Sequence, residues 1–276
     1  MIFENAPTPK TKYLAYLISA VIGIAIVVGG YVAVGFSYQF HGVVGFALAF
    51  ALLMPALIVH WETWRKKRID EALPRLLDDI GESYESGMTL LQALEECTKR
   101  NYGPITGELK KLTAQLSWGV EFEETFKSFA ARINTALTTR VTVLIIESVR
   151  LGGDLKTTFN STAKFVRQII ALRKERESQL RTYLMIIYAS SLIFLMIIVI
   201  LYQSFFLPMA AAQQTRFLQM QMSLGDYKGL LFDLAIVEAF FGELTAGKLS
   251  QGITLAGLKH SVILIFIVTV VLLLLF

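Results

Sequence analysis

From Tyr13 to Val59 the chain runs 47 positions without a charged residue. One membrane crossing needs only about 20 apolar residues, so a break is required. Gly35, Ser37, Gln39, His41 and Gly42 supply it. The pattern predicts two spans in a tight hairpin, Tyr13–Val34 and Gly42–Val59, with Pro55 kinking the second. Tyr13, Tyr16, Trp61 and Trp64 stand where amphipathic aromatics meet headgroups. The first apolar run exceeds the roughly 7–15 residues of a signal-peptide core, so it reads as a retained helix.

At Trp61 the pattern changes to amphipathic and helical in period. It predicts a first helix over Ile69–Ser86, with Leu73, Leu76, Leu77, Ile80 and Tyr84 on one stripe. A second follows Gly87, where Thr89 and Gln92 have capping-box spacing. A third starts near Pro104 with Leu109, Leu112 and Leu116. A fourth follows Gly119 with Phe122, Phe126 and Phe129, and a fifth runs from Asn134 to Leu151. The sixth follows Gly152-Gly153. From Asp154 to Leu207 there is neither glycine nor proline, and from Thr182 no charge until Arg216. This predicts a single helix that leaves the soluble module and becomes span three.

Pro208 ends that span, and Met209–Lys228 is polar. Gly229–Phe241 is apolar but carries Asp233 and Glu238, which makes it the least secure of five predicted spans. Carboxylates inside a span are costly and often functional, so an ion or proton role and plain packing both stay open. Gly242, Gly247, Gly252 and Gly257 recur every five residues, which fits no helix face, and predict a flexible turn. Thr254–Phe276 is the last span, and the chain stops inside apolar sequence.

Composition and charge fill in the picture. The fold class expected is all-α: a polytopic membrane protein with a cytoplasmic antiparallel six-helix bundle. Its parts are a membrane hairpin over 1–60, a helical module over 61–181 and a membrane region of two or three spans over 182–276. The chain is 54% hydrophobic and 17% charged, against roughly 25% charged in soluble domains. Residues 61–181 hold 20 of the 26 Lys+Arg and 17 of the 22 Asp+Glu. That near balance argues against nucleic acid. The Arg65-Lys66-Lys67-Arg68 cluster and the basic residues from Arg167 to Arg181 flank the module. Positive residues beside spans stay in the cytoplasm, which puts the module and the N-terminus there. The cluster reads either as an anchor in membrane lipid or as a docking site. Cys97 is the single cysteine, so no disulfide forms within the chain.

Within the module one motif occurs three times: glycine, then large apolar, small and large apolar residues at the third, sixth and seventh places after it. The copies are Gly87 with Leu90, Ala93 and Leu94; Gly119 with Phe122, Thr125 and Phe126; and Gly152 with Leu155, Thr158 and Phe159. Glycine supplies positive φ at a helix end, and the apolar pair shares one face of the next helix. Gly87, Gly119, Gly152 and Gly153 are therefore expected as structural corners. No phosphate-binding glycine pattern is present, no candidate catalytic triad or metal cluster stands out, and no cofactor is expected. The histidines His41, His60 and His260 all fall at predicted span ends.

Several short stretches carry a family resemblance: Leu73-Pro74, Ser86-Gly87-Met88-Thr89-Leu90, Trp118-Gly119-Val120, and Glu147-Ser148-Val149-Arg150-Leu151-Gly152-Gly153-Asp154-Leu155. In this order, between membrane spans, they resemble the F-domain of type II secretion and type IV pilus platform proteins. The short forms of tight-adherence, archaeal pilus and archaellum systems are the nearest in style. The ending Ala246-Gly247-Lys248-Leu249-Ser250 with Gly257-Leu258-Lys259-His260-Ser261 resembles the archaeal forms. The resemblance implies a non-enzymatic platform in the cell membrane. It would couple a hexameric assembly ATPase to the insertion of pilin subunits, with Glu147 joining the basic cluster as a candidate docking residue. Platforms of this family often carry two F-domains and this chain shows one, which implies a homodimer or a hetero-pair. A small transporter or channel subunit is the alternative, motivated by Asp233, Glu238 and His260.

Overall fold

The computed structural model describes residues 9–35, 37–209, 223–252 and 254–275. Among these, every regular element is helical. The helices are α1 (Pro9–Val34), α2 (Tyr38–Glu85), α3 (Leu90–Thr98), α4 (Pro104–Ser117), α5 (Phe122–Ile133), α6 (Ala136–Arg150), α7 (Leu155–Leu201), α8 (Leu224–Gln251) and α9 (Leu258–Leu275). A π-helical turn, Tyr202–Phe206, extends α7, and a short 3-10 turn, Thr254–Gly257, precedes α9. Four helical stretches are long and apolar enough to cross a membrane: 12–34, the apolar part of α2, the apolar part of α7 with its extension, and 254–275.

The described residues form two compact units: Glu62–Arg176, and the residues before and after it. Helices α2 and α7 each contribute to both.

In the first unit, one core takes residues from six helical segments: Leu73 and Leu77 of α2, Leu94 of α3, Leu109 of α4, Phe129 of α5, Leu137 of α6 and Phe159 of α7. Burying a side chain of this size contributes about 1.5–3 kcal/mol. Helices α2 and α7 run antiparallel. Lys156 pairs with Glu85, Arg167 with Asp78, and Arg173 Nη1 donates to Asp70 at 2.7 Å. Helices α4 and α5 are antiparallel as well, because Arg132 Nε donates to Glu108 at 2.7 Å and Ser128 Oγ to Gln115 at 3.1 Å.

Local chemistry sets the helix ends. Thr89 and Gln92 form a reciprocal capping box at the start of α3, and Pro104 sits in the first turn of α4. Two boundaries differ from the sequence reading. Asn134 does not open the fifth module helix; it closes α5 in the left-handed conformation at φ 55°, and Thr135 caps α6. The second difference is larger. Span two and the first module helix are not separate, because α2 is unbroken through Pro55 and Pro74. Proline lacks an N–H and loses one bond to the carbonyl four residues earlier. Good helix formers around Arg65–Arg68 and Glu71-Ala72 carry the helix on.

In the second unit, α1 packs on α2 where Gly23 meets Ala51 and Gly30 meets Val43. The remainder of α1 is largely exposed apolar surface, including Leu14, Leu17, Val21, Ile24 and Val32. Helix α8 is buried at Phe232, Ala235, Ala239 and Ala246 against Ile198 of α7 and Ile265 of α9. It is antiparallel to the apolar part of α7. Tyr227 stacks on Phe206 at 4.6 Å, and Ser191 Oγ donates to Glu238 at 2.8 Å.

The flexible turn expected over Gly242–Gly257 is corrected by the structure. Gly242 and Gly247 lie within α8, Gly252 caps it at φ 72°, and the chain folds straight back into α9. A Cβ on Gly247 would stand 2.0 Å from the Gly257 nitrogen; one on Gly257 would stand 2.2 Å from the Glu243 carbonyl oxygen. Two backbones touch there, and only residues without side chains fit.

Candidate functional site

The chain's repeated motif places three corners at one end of the first unit. Gly87, Gly119 and Gly152 have φ of 90°, 81° and 66°. Nothing lies within 4 Å of a Cβ built on any of them, so backbone conformation is what requires glycine. Gly153 is outside the positive-φ set and packs against Ser148 instead. The Lys156–Glu85 pair joins the Gly152 corner to the Gly87 corner. Arg150, at the end of α6, lies close enough to act electrostatically on Glu123 and Lys127 of α5. That joins the Gly152 corner to the Gly119 corner.

The corners present apolar side chains to solvent. Trp118 and Leu151, each just before its glycine, are both 81% exposed, and Met88 is also exposed. A strip on α6 continues from Leu151 through Glu147 to Leu144 and Val143, all exposed. Beside it, α5 opens with the carboxylates Glu121, Glu123 and Glu124. Asp154 caps α7 by accepting from the Thr157 hydroxyl and the Lys156 and Thr157 amides. The Thr157 hydroxyl in particular holds its carboxyl below the usual range.

Arg65–Arg68 lie at the other end of the unit. Arg68 and Glu85 stand seventeen positions apart on α2, about 25 Å at 1.5 Å per residue. Lys66, Lys67 and Arg68 are exposed, Arg65 is half-buried, and the Arg68 guanidinium sits 5.1 Å from the Trp64 ring centroid. The structure therefore does not bring the basic cluster and Glu147 together.

Polar residues inside the unit hold it in shape. Asp79 accepts from the Tyr102 hydroxyl at 2.5 Å and pairs with Arg100 at 2.9 Å. Burial, then the Asp79 contact, raise the Tyr102 phenol above its ordinary value. Burial also pushes up the Cys97 thiol, which leaves it a packing residue. Burial pushes the Glu108 carboxyl up, but hydrogen bonds from Lys111 and Arg132 outweigh it and hold the carboxyl below its ordinary range.

The second unit has its own polar set. His41 Nδ1 is 2.7 Å from Asp233, His260 bonds Tyr188, and Lys228 lies 4.5 Å from the Tyr38 ring centroid. So His41 and His260 bind partners inside the protein. Glu243 escaped the sequence reading. It is fully buried, and neither carboxylate oxygen has a hydrogen-bond partner. The spacing Asp233, Glu238, Glu243 repeats every five residues, as the glycines do, and no single face collects it. Among the described residues, no group of three or more His, Cys, Asp or Glu could hold a metal.

Residues 76–203 match the family described as Type II secretion system (T2SS), protein F. An uncharacterized protein of Methanocaldococcus jannaschii is 25% identical over 232 residues, covering 83% of this chain and 38% of its own length. Flagella accessory protein J of the same organism is 24% identical over 128 residues, 46% of this chain and 23% of that protein. The chain thus spans well under half of either relative. No solved structure matches it.

Proposed function

We propose, from the match of residues 76–203 to the family described as Type II secretion system (T2SS), protein F, that the chain is a membrane platform of a pilus- or archaellum-type assembly machine. The observation that carries this reading is the matched helical unit between helices long and apolar enough to cross a membrane. The likeness to flagella accessory protein J supports the archaeal filament branch. In this reading Glu62–Arg176 is a cytoplasmic antiparallel six-helix bundle, held inside by the basic residues at its two borders. Helix α8, 28 residues long and so about 42 Å, is the fifth crossing. It is shielded by α7 and α9 because Asp233, Glu238 and Glu243 in its interior suit lipid poorly.

The platform is not an enzyme. Its cytoplasmic partner is a hexameric assembly ATPase, and its membrane partners are filament subunits and a second F-domain, in the same or a sister chain. The ATPase meets the corner end. Exposed apolar residues gathered beside charge are the usual core-and-rim of an interface, and Trp118 is the kind of residue that anchors one. Arg65–Arg68 then serve as the headgroup anchor. Trp118→Ala combined with Leu151→Ala should weaken binding of the cognate ATPase by 2 kcal/mol or more, or about 30-fold, in a pull-down with the full-length protein. Replacing Lys66 and Arg68 by Ala should leave that binding intact. The reverse ranking would move the ATPase to the basic end.

A further inference from the structure

Glu243 is, among the described residues, the carboxylate that is fully buried with neither oxygen hydrogen-bonded. Helices on every side account for its isolation. On α7, Tyr188 is engaged with His260 of α9. On α8 itself, Glu238 is bonded to Ser191 and acts on Glu243 with a charge of the same sign. On α9, Lys259 and His260 are half-buried, and neither hydrogen-bonds to Glu243. His60 of α2 makes no hydrogen bond to Glu243 either. The Gly257 backbone closes over the Glu243 carbonyl.

An ionised carboxylate removed from water with no counter-charge and no donor is one of the least favourable groups a fold can bury. Such a group takes up a proton instead. The described acidic and imidazole groups do not cluster into a metal site, whereas a proton needs one oxygen alone. We propose that Glu243 is a proton-binding site in the second unit. Its carboxyl carries a proton while α7, α8 and α9 are packed. When the helices part and water enters, the O–H bond breaks, the proton passes to water and a carboxylate remains. Proton release and separation of these helices are thereby the same event.

Infrared difference spectra of the full-length protein in lipid vesicles test this. Wild type minus Glu243→Gln at neutral pH should show the C=O stretch of a protonated carboxylic acid. That band should survive in Glu238→Gln and persist far above the ordinary glutamate value of about 4.3. The thermal midpoint of the wild type should fall as pH rises above the unfolded glutamate value of about 4.3, because only the folded state then holds the proton, and Glu243→Gln should remove that fall. A difference spectrum with only carboxylate stretches overturns the proposal. So does a band lost with Glu238→Gln instead, or an equal fall in both proteins. A Glu243→Gln variant that cannot fold overturns it equally, because the ionised form would then be required. None of these outcomes bears on the platform reading.

Discussion

Two kinds of glycine do different work in this chain, and their substitutions should separate them. At Gly119 the constraint is φ of 81° with open space around it, so Gly119→Ala should cost about 1–2 kcal/mol, the left-handed penalty for a residue with a Cβ. At Gly247 the obstacle is the Gly257 backbone itself. Gly247→Ala must push α8 and α9 apart, and should cost about 3 kcal/mol or more, the upper end of overpacking. Thermal unfolding in detergent gives the ranking, and equal losses would mean that the two backbones do not touch. Glu108 offers a second residue-level test. Its depressed folded pKa means that its stabilisation is present above the unfolded value of about 4.3 and is lost as pH falls through the folded value. Glu108→Gln should therefore cost about 1.5–3 kcal/mol at neutral pH and flatten the acid limb of stability against pH. An unchanged acid limb would assign that limb to other carboxylates.

At the scale of elements, the long helices matter most. The sequence stretch without glycine or proline from Asp154 to Leu207 is matched by α7 and its π-helical extension, with no break near Ser178–Arg181. The widened turn comes just before Pro208, which cannot donate to the Ser204 carbonyl. The continuity of α2 was harder to read, because two prolines and a basic run look like punctuation in one dimension. We expect α7 to carry movement between the two parts of the chain. Gly-Gly-Ser-Gly inserted after Ser178 adds residues that each cost up to about 1 kcal/mol in a helix interior and shifts the helix phase. If the chain is the platform proposed above, the variant should reach the membrane and bind the assembly ATPase normally, yet assemble no filaments. Wild-type assembly rates in that variant would reduce α7 to a tether.

For the whole molecule, orientation is the property to measure first. With the module inside, an impermeant thiol reagent on intact cells should label Gln213→Cys and spare Ser128→Cys. Gln213 lies outside the described residues, and Cys97 is buried, which keeps the background low. Labelling of Ser128→Cys alone would invert the topology. Much of the architecture is written in one dimension. Apolar runs of membrane length, the helical period of the charged stretch, the Thr89–Gln92 box and Pro104 at a helix start are local signals, and each is a property of a few neighbouring residues. The sequence also spaces Gly87, Gly119 and Gly152 evenly, but their meeting at one end depends on helices pairing across long separations. The same holds for Gly247 against Gly257, and for Glu243 sealed between α7 and α9. Burial and partnerlessness are relations between distant segments, so the sequence by itself determined most of the helical stretches, while only tertiary packing decided that Gly242 and Gly247 sit inside α8, which glycines touch and which carboxylate is left alone.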